Sequence, residues 1–304
     1  MDVSVITINY NNSDLTVDFV NSVLKKTSKK LAIEIIVVDN CSDAKDYKNL
    51  LSKMNNTQHV NIIRNNVNSG FGAGNMLGTL YAKGKYFAFV NNDIIFKEDC
   101  FSSLVNFMNN HEDVGVCTPQ QLNAKNEPVS CFDYFHGIRK LLLGRKFIEF
   151  FMAKDMPRRA NKLYTETCYV DFIQGCFMFF NAERFAEVGG FDTNIFLYYE
   201  EMDICFRLKK QGLKSCLIPE TNFLHYHGVS TGKNFDIKKE LQLSYFYIIK
   251  KNYPYIKYLI IKCIGVIKYL FKGFGNFKYW NLALIIFQGK YLENSLKQSQ
   301  IMKL

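Results

Sequence analysis

The residues in this chain best suited to chemistry are Asn91-Asn92-Asp93, two amides and a carboxylate in a row. They follow Phe87-Ala88-Phe89-Val90, apolar and aromatic enough to read as a buried strand. Open α/β sheets take their ligands just beyond the carboxyl ends of the strands. Asp93 is therefore a candidate ligand for a hard divalent cation, which takes oxygen donors and shares them with substrate phosphates. Asn and Asp also build ordinary turns, and this run alone leaves both readings open. A second polar group is Glu200-Glu201-Met202-Asp203, with Arg207 beyond. Helical spacing puts Glu200, Asp203 and Arg207 on one face and turns Glu201 elsewhere. A helix start also favours acidic residues through its dipole, which suits Glu200 better than Glu201. The stretch Gly70-Phe71-Gly72-Ala73-Gly74 lacks the dinucleotide-loop spacing and follows the wrong strand. It can still let backbone approach a phosphate or sugar closely, or serve as a flexible turn.

The elements that position these residues alternate. Strands are expected at Val3 to Ile8, Glu34 to Val38, His59 to Ile63 and Tyr86 to Val90, with helices between them ending near Lys26, Met54 and Lys83. This order predicts a parallel sheet of right-handed βαβ units. Three of the four strands end in Asn or Asp clusters, which a parallel sheet brings to one edge as a polar pocket. Further on, Glu98 to Asn110 reads as a helix and Val114 to Cys117 as a strand. Residues 121 to 167 read as an irregular, basic insert, and Tyr169 to Phe180 as one strand. Asn181 caps a short helix, and Phe196 to Leu208 is helical with Gly212 as its C-cap. The strand Lys214 to Ile218 leads to His225-Tyr226-His227-Gly228.

Composition sets limits. The 304 residues are 48% hydrophobic, enough for a sizeable core. Nine cysteines without a C-x-x-C pair read as reduced thiols, hence a cytoplasmic protein, and a strand pattern starting at Val3 leaves no signal peptide. The net charge of +10 resides in Thr231 to Leu304, which holds 13 basic and 3 acidic residues. The body, 1–230, is neutral.

The ordered set of motifs resembles the inverting, nucleotide-sugar-dependent glycosyltransferases of family 2, with the GT-A fold, and within them the bacterial rhamnosyltransferase-like members. The set comprises Val37-Val38-Asp39-Asn40-Cys41-Ser42, Asn68-Ser69-Gly70-Phe71-Gly72-Ala73-Gly74-Asn75 and Asn91-Asn92-Asp93. Gly175, Gly189-Gly190-Phe191-Asp192, Glu200-Glu201 with Asp203 and Arg207, and His225 ahead of Gly228 and Ser230 complete it. The resemblance implies an α/β, Rossmann-like, mostly parallel sheet flanked by helices, with 1–230 as the catalytic domain and 231–304 as a helical tail. It implies that Asp39, Asn9 and Tyr10 contact the nucleotide, and that Asn68, Gly70, Asn75, Asn91, Asn92 and Gly175 line the nucleotide-sugar site. Asp93 matches the last carboxylate of the family's Asp-x-Asp metal motif, whose first position is Asn91 here. His225 matches the second metal ligand, with His227 as a rival.

Glu201 matches the catalytic base, with Glu200 or Asp203 as alternatives. The implied reaction is an in-line displacement at the anomeric carbon of dTDP-rhamnose or a UDP-hexose by a hydroxyl of a glycan or lipid-linked glycan, in cell-surface polysaccharide synthesis. The imidazole ligand favours manganese over magnesium.

In the tail, helices are expected over Glu240 to Lys251, Pro254 to Phe271 and Trp280 to Gln288. Lysines interrupt the second, making it a poor membrane span and a good interfacial helix. It would dock peripherally on the anionic cytoplasmic face of a membrane, or pack on the body or on a second subunit. Nucleotidyl transfer is disfavoured because Asn9-Tyr10-Asn11-Asn12 is no glycine-rich phosphate loop. Nucleic-acid binding is disfavoured because the body is neutral and the tail too apolar.

Overall fold

The computed structural model describes residues 1–135, 137–151, 157–226 and 234–302. The N-terminal half alternates as the hydrophobic pattern requires: β1 (Val3–Asn9), α1 (Ser13–Lys26), β2 (Ile33–Asn40), α2 (Ala44–Met54), β3 (Val60–Asn65), α3 (Gly70–Thr79) and β4 (Tyr86–Val90). There follow β5 (Ile94–Ile95), α4 (Cys100–Asn109), β6 (Val114–Leu122), β7 (Pro128–Val129), β8 (Phe132–Asp133) and α5 (Ile138–Phe151), which is kinked at Gly144. Then come β9 (Cys168–Val170), β10 (Phe172–Ile173), β11 (Phe177–Asn181), α6 (Ala182–Glu187), α7 (Glu200–Lys210) and β12 (Lys214–His225). Three helices close the chain: α8 (Phe235–Asn252), α9 (Tyr255–Gly273) and α10 (Lys278–Gln288).

The main sheet runs β3-β2-β1-β4-β11-β6-β12-β5, with β7 and β9 attached to β6 and β12. β3, β2, β1 and β4 are mutually parallel, as are β6 and β12, while β11 lies antiparallel between β4 and β6. The expected parallel sheet is thus mixed on its second half. The stretch expected as one strand from Tyr169 to Phe180 instead breaks into β9, β10 and β11. Its turn at Gln174 to Cys176 feeds β11 back into the main sheet, where Asn91 N donates to Cys176 O at 2.9 Å.

Alternation along β11 organises the core. Phe177 and Phe179 face one side of the sheet, among Phe19, Phe96 and Phe101; Met178 and Phe180 face the other, among Phe89, Phe185 and Phe191. Each such ring, fully buried, stabilises the fold by about 2–3 kcal/mol.

The second core side continues into Phe246, Ile249, Ile261 and Ile286 of the closing helices. The division at 230/231 therefore does not separate two packing units. α8 belongs to the body: Ser244 Oγ donates to Leu197 O at 2.8 Å, and Tyr247 Oη donates to Asp192 at 2.9 Å.

Candidate active site

Parallel pairing sets Asn9 beside Asp39 at one edge of the sheet, and β4 ends there too. Past the strand ends the chain turns sharply: Asn11 has φ 55° and Cys41 φ 71°. A left-handed cysteine costs roughly 1–2 kcal/mol, which the surrounding contacts hold in place.

Between these turns and α3 lies a cleft of about 260 Å³. Tyr10, Asn40, Asn68, Gly70, Asn91 and Asn92 line its polar wall, and Phe71, Phe196 and Leu197 its apolar one. Ile237 of α8 also reaches it. Gly70 is needed there: it has φ +84°, and a Cβ would fall 2.1 Å from the carbonyl oxygen of Phe196. That carbonyl accepts from Phe71 N at 2.9 Å, pinning the glycine stretch to the loop before α7.

Four residues expected at the nucleotide-sugar site do not line this cleft: Asn9, Asp39, Asn75 and Gly175. Asn9 and Asp39 are fully buried behind its wall. Asn9 Nδ2 donates to Asp39 Oδ2 and to Asp46 Oδ2, each at 2.8 Å, while Ser42 N and the Arg64 guanidinium donate to Asp39 Oδ1. Asn75 is buried and donates to Phe71 O at 3.1 Å. These side chains hold the wall in shape.

Asp93 and His225 meet as the sequence suggests. β12 runs past β5, pairing His225 with Ile94, and His225 Nε2 lies 3.1 Å from Asp93 Oδ1. Gln121 Nε2 lies 3.1 Å from His225 Nδ1. Asp93 opens onto a neighbouring cavity of about 380 Å³, and Asn92 borders both cavities.

The donor set fits a divalent ion. Two atoms side by side on one small divalent cation lie about 3 Å apart. If the Gln121 amide turns to accept from Nδ1–H, the Nε2 lone pair faces Asp93. Among the described residues no group of three or more His, Cys, Asp or Glu surrounds this point, so substrate oxygens and water would complete the shell. His227, Gly228 and Ser230 lie outside the described residues.

The acidic pair is delivered by an unusual turn. Tyr198 and Tyr199 both have positive φ, 75° and 69°, immediately before α7. Strain of this kind, roughly 1–3 kcal/mol per residue, gathers at functional sites. Glu200 is buried, and its Oε1 has no partner among the described residues. Glu201 is only partly buried. The two carboxyls hydrogen-bond to each other. Burial pushes Glu200 well above the usual carboxylate range and Glu201 up to about 7.

Gly175 locates Glu201 relative to the cleft. A Cβ there would sit 3.7 Å from Glu201 Oε2 and 3.8 Å from the Phe71 ring. Gly175 thus lies between Glu201 and Phe71 of the cleft wall, and the residue after it, Cys176, is bound to Asn91 and lies 3.5 Å from Gln121.

Asp203 is no rival as base. It is fully buried and held by Arg207 at 2.8 Å, Lys251 at 3.0 Å and Asn252 at 2.7 Å, which makes it the anchor of α7 on α8.

A further cavity of about 550 Å³ is lined by Gln174, Arg145, Arg159, Ser130 and Asn161. Arg159 pairs with Asp133 at 3.3 Å, and the Asp133 charge also acts on Glu201.

Gln121, Arg64, the two tyrosines and this arginine cavity escape a reading of the sequence. Gln121 lies in a strand with no periodic cue, and the others acquire meaning only through distant neighbours.

Residues 4–180 match the profile described as Glycosyl transferase family 2. Rhamnosyltransferase WbbL of Escherichia coli K12 is 31% identical over 52% of this chain and 61% of its own. An N-acetylglucosaminyl-diphospho-decaprenol L-rhamnosyltransferase of Mycobacterium tuberculosis is 35% identical over 21% of each chain. The chain therefore spans less than two thirds of these curated relatives. Poly(ribitol-phosphate) beta-N-acetylglucosaminyltransferase TarS of Staphylococcus aureus is 26% identical over 43% of this chain and 23% of its own. Among solved structures, GalNAc-T7 with UDP, GalNAc and Mn2+ superposes with TM-score 0.62 at 17% identity, over 82% of this chain and 48% of that one. S. aureus TarS 1-349 in complex with UDP gives 0.55 at 16% identity, over 83% and 66%. These likenesses carry the fold: a mostly parallel sheet flanked by helices, shared with GT-A glycosyltransferases.

Proposed function

The chain belongs to glycosyl transferase family 2, and on that premise we propose that it moves a sugar, with inversion, from a nucleoside-diphosphate sugar to a hydroxyl of a glycan or lipid-linked glycan. The observation that carries this reading is Glu201. Burial lifts its carboxyl to about 7, and Gly175 lies between it and Phe71 of the asparagine-lined cleft.

The bond from the anomeric carbon to the diphosphate breaks as the bond to the acceptor oxygen forms. Glu201 takes the hydroxyl proton on the face away from the leaving group. Glu200, more strongly buried, keeps its own proton and steadies the Glu201 carboxylate by hydrogen bonding. Tyr10, Asn68, Gly70, Asn91 and Asn92 contact the nucleotide sugar. Asn9, Asp39 and Asn75 act from behind, holding those groups in place, and Gly175 leaves room beside the base.

Asp93 and His225 would hold a divalent cation, manganese ahead of magnesium because imidazole suits the softer ion. When bound, such an ion supplies Lewis-acid stabilisation of charge gathering on the leaving diphosphate. The structure of GalNAc-T7 with UDP and Mn2+ supports a metal on this fold. For the donor, the rhamnosyltransferase relatives support dTDP-rhamnose, and TarS in complex with UDP supports a UDP-hexose.

Two relatives are named for phosphate-bearing acceptors, a diphospho-decaprenol and a poly(ribitol-phosphate). The cavity lined by Arg145 and Arg159, whose wall residue Gln174 adjoins Gly175, suits such an acceptor. The reading is therefore of a peripheral enzyme of cell-surface polysaccharide synthesis. The test is incubation with dTDP-rhamnose and UDP-hexoses, manganese and a phosphate-bearing glycan acceptor, following nucleotide release and the anomeric proton of the product by NMR. Inverted product supports the proposal. Retained configuration, or no turnover with any donor, contradicts it.

A further inference from the structure

We propose that the outward face of α9 and α10 is a docking surface for an anionic lipid bilayer, on which α9 lies in the plane of the interface. α9 has two opposite faces. Tyr258, Ile261, Gly265, Tyr269 and Gly273 are buried against α8 and α10. The packing is close: a Cβ on Gly265 would fall 2.2 Å from the Phe246 ring, and one on Gly273 1.7 Å from Trp280.

At the same helical period, Ile256, Ile260, Ile267, Phe271 and Phe274 point away from the body, and Phe271 and Phe274 are 72% and 80% exposed. α10 repeats the pattern, burying Leu282, Ala283, Ile285 and Ile286 while Phe277, Trp280, Leu284 and Phe287 stand in water. Single exposed apolar residues are ordinary, but a run along two adjoining helices marks an interaction surface.

Charge selects the occupant. From Tyr255 to Lys290 the chain has six lysines and no acidic residue. By helical spacing Lys257 and Lys268 border the exposed stripe of α9, while Lys262 falls on the side toward α10, near Phe287. Their ammonium groups lie over aromatic rings, Lys262 near Tyr258 and Phe287, Lys257 over Tyr253 and Lys268 over Tyr269. A second copy would set lysines against lysines. A bilayer with anionic headgroups meets both features at once, apolar side chains entering the acyl boundary and lysines at headgroup level. No described helix is long and apolar enough to cross a membrane, so the mode is lying on the surface.

The inference names where a lipid-linked acceptor would be met. It does not depend on glycosyl transfer, because vesicle binding needs neither donor nor acceptor; failure of one leaves the other standing. The chain has a single tryptophan, Trp280, on this face, which serves as the reporter. The full-length protein is mixed at low salt with vesicles of phosphatidylcholine alone or with phosphatidylglycerol.

With the anionic vesicles, Trp280 emission is expected to shift to the blue, brominated acyl chains to quench it, and the protein to co-sediment, less so as salt rises. K262Q/K268Q should weaken partitioning about 30-fold, from roughly 1 kcal/mol per lysine. F271S/F274S should abolish co-sedimentation with little loss of thermal stability, since both rings are mostly in water and Phe274 gives up one edge-on contact with Trp280. Absence of binding to anionic vesicles, equal binding to neutral ones, or a dimer in solution that F271S/F274S dissociates would overturn the proposal.

Discussion

Replacing Glu201 by Gln should make the protein a poorer enzyme and a more stable one. As base, Glu201 contributes about 10²- to 10⁴-fold to turnover, or roughly 3–5 kcal/mol of the barrier. Its carboxyl rises from an ordinary 4.5 to about 7, chiefly through burial, so below pH 4.5 it is protonated folded and unfolded alike. Between pH 4.5 and 7 the native state keeps a proton that the unfolded chain releases, and native stability falls as pH rises. Above about 7 the loss is complete. A full shift of this size corresponds to about 3 kcal/mol. Glu201 keeps some contact with water, which leaves about 2 kcal/mol. The Glu201→Gln variant escapes this cost.

Urea unfolding at pH 4 and pH 8 should show no difference from wild type at the lower pH and a gain of about 2 kcal/mol at the higher. Wild-type kcat should rise with pH around 7, and the variant's residual rate should lose that limb. A variant less stable at pH 8, or one that keeps wild-type kcat, would refute the assignment.

Gly70→Ala should cost roughly 2–4 kcal/mol, a left-handed alanine plus the lost Phe71 to Phe196 hydrogen bond, and should abolish donor binding by prying the loop off the cleft; denaturant melts and calorimetry check both. Asp203→Ala should cost about 3 kcal/mol, since Arg207 and Lys251 lose a buried partner but can reach water; measured on folded protein, its donor affinity should match wild type. Gln121→Leu should weaken manganese binding about 10- to 100-fold by freeing the His225 ring, while nucleotide affinity in the presence of chelator stays unchanged.

The N-terminal βαβ units were legible because their signals are local: a period-two or continuous apolar run, then Asn or Asp at the strand end. Asp93 was legible for the same reason, whereas His225 came only from the family resemblance, because the expected strand stopped at Ile218 and β12 runs on to His225. The mixed half of the sheet was not, because Tyr169 to Phe180 is apolar throughout, and only pairing with β4 and β6 decides where it breaks. The role of Asp203 was hidden likewise: its helical spacing to Arg207 was readable, but Lys251 and Asn252 arrive from a helix some fifty residues later. The resemblance implied Asp39 as a nucleotide contact, yet Asn9 and Arg64 from the flanking strands occupy its oxygens. The tail's lysines and aromatics were readable as amphipathic, whereas the docking of α8 into the body required its contacts with Leu197 and Asp192.

The central claim is that the asparagine-lined cleft holds a nucleoside-diphosphate sugar beside a cation gripped by Asp93 and His225. Its most direct test is thermal unfolding of wild type and Asp93→Asn with UDP- and dTDP-sugars, with manganese or with chelator. A ligand at 100 times its Kd adds about 2.7 kcal/mol of stability. At least one donor should raise the wild-type Tm in manganese, and both the chelator and Asp93→Asn should remove most of that rise. No rise with any donor, or a rise indifferent to manganese and to Asp93, would contradict the account.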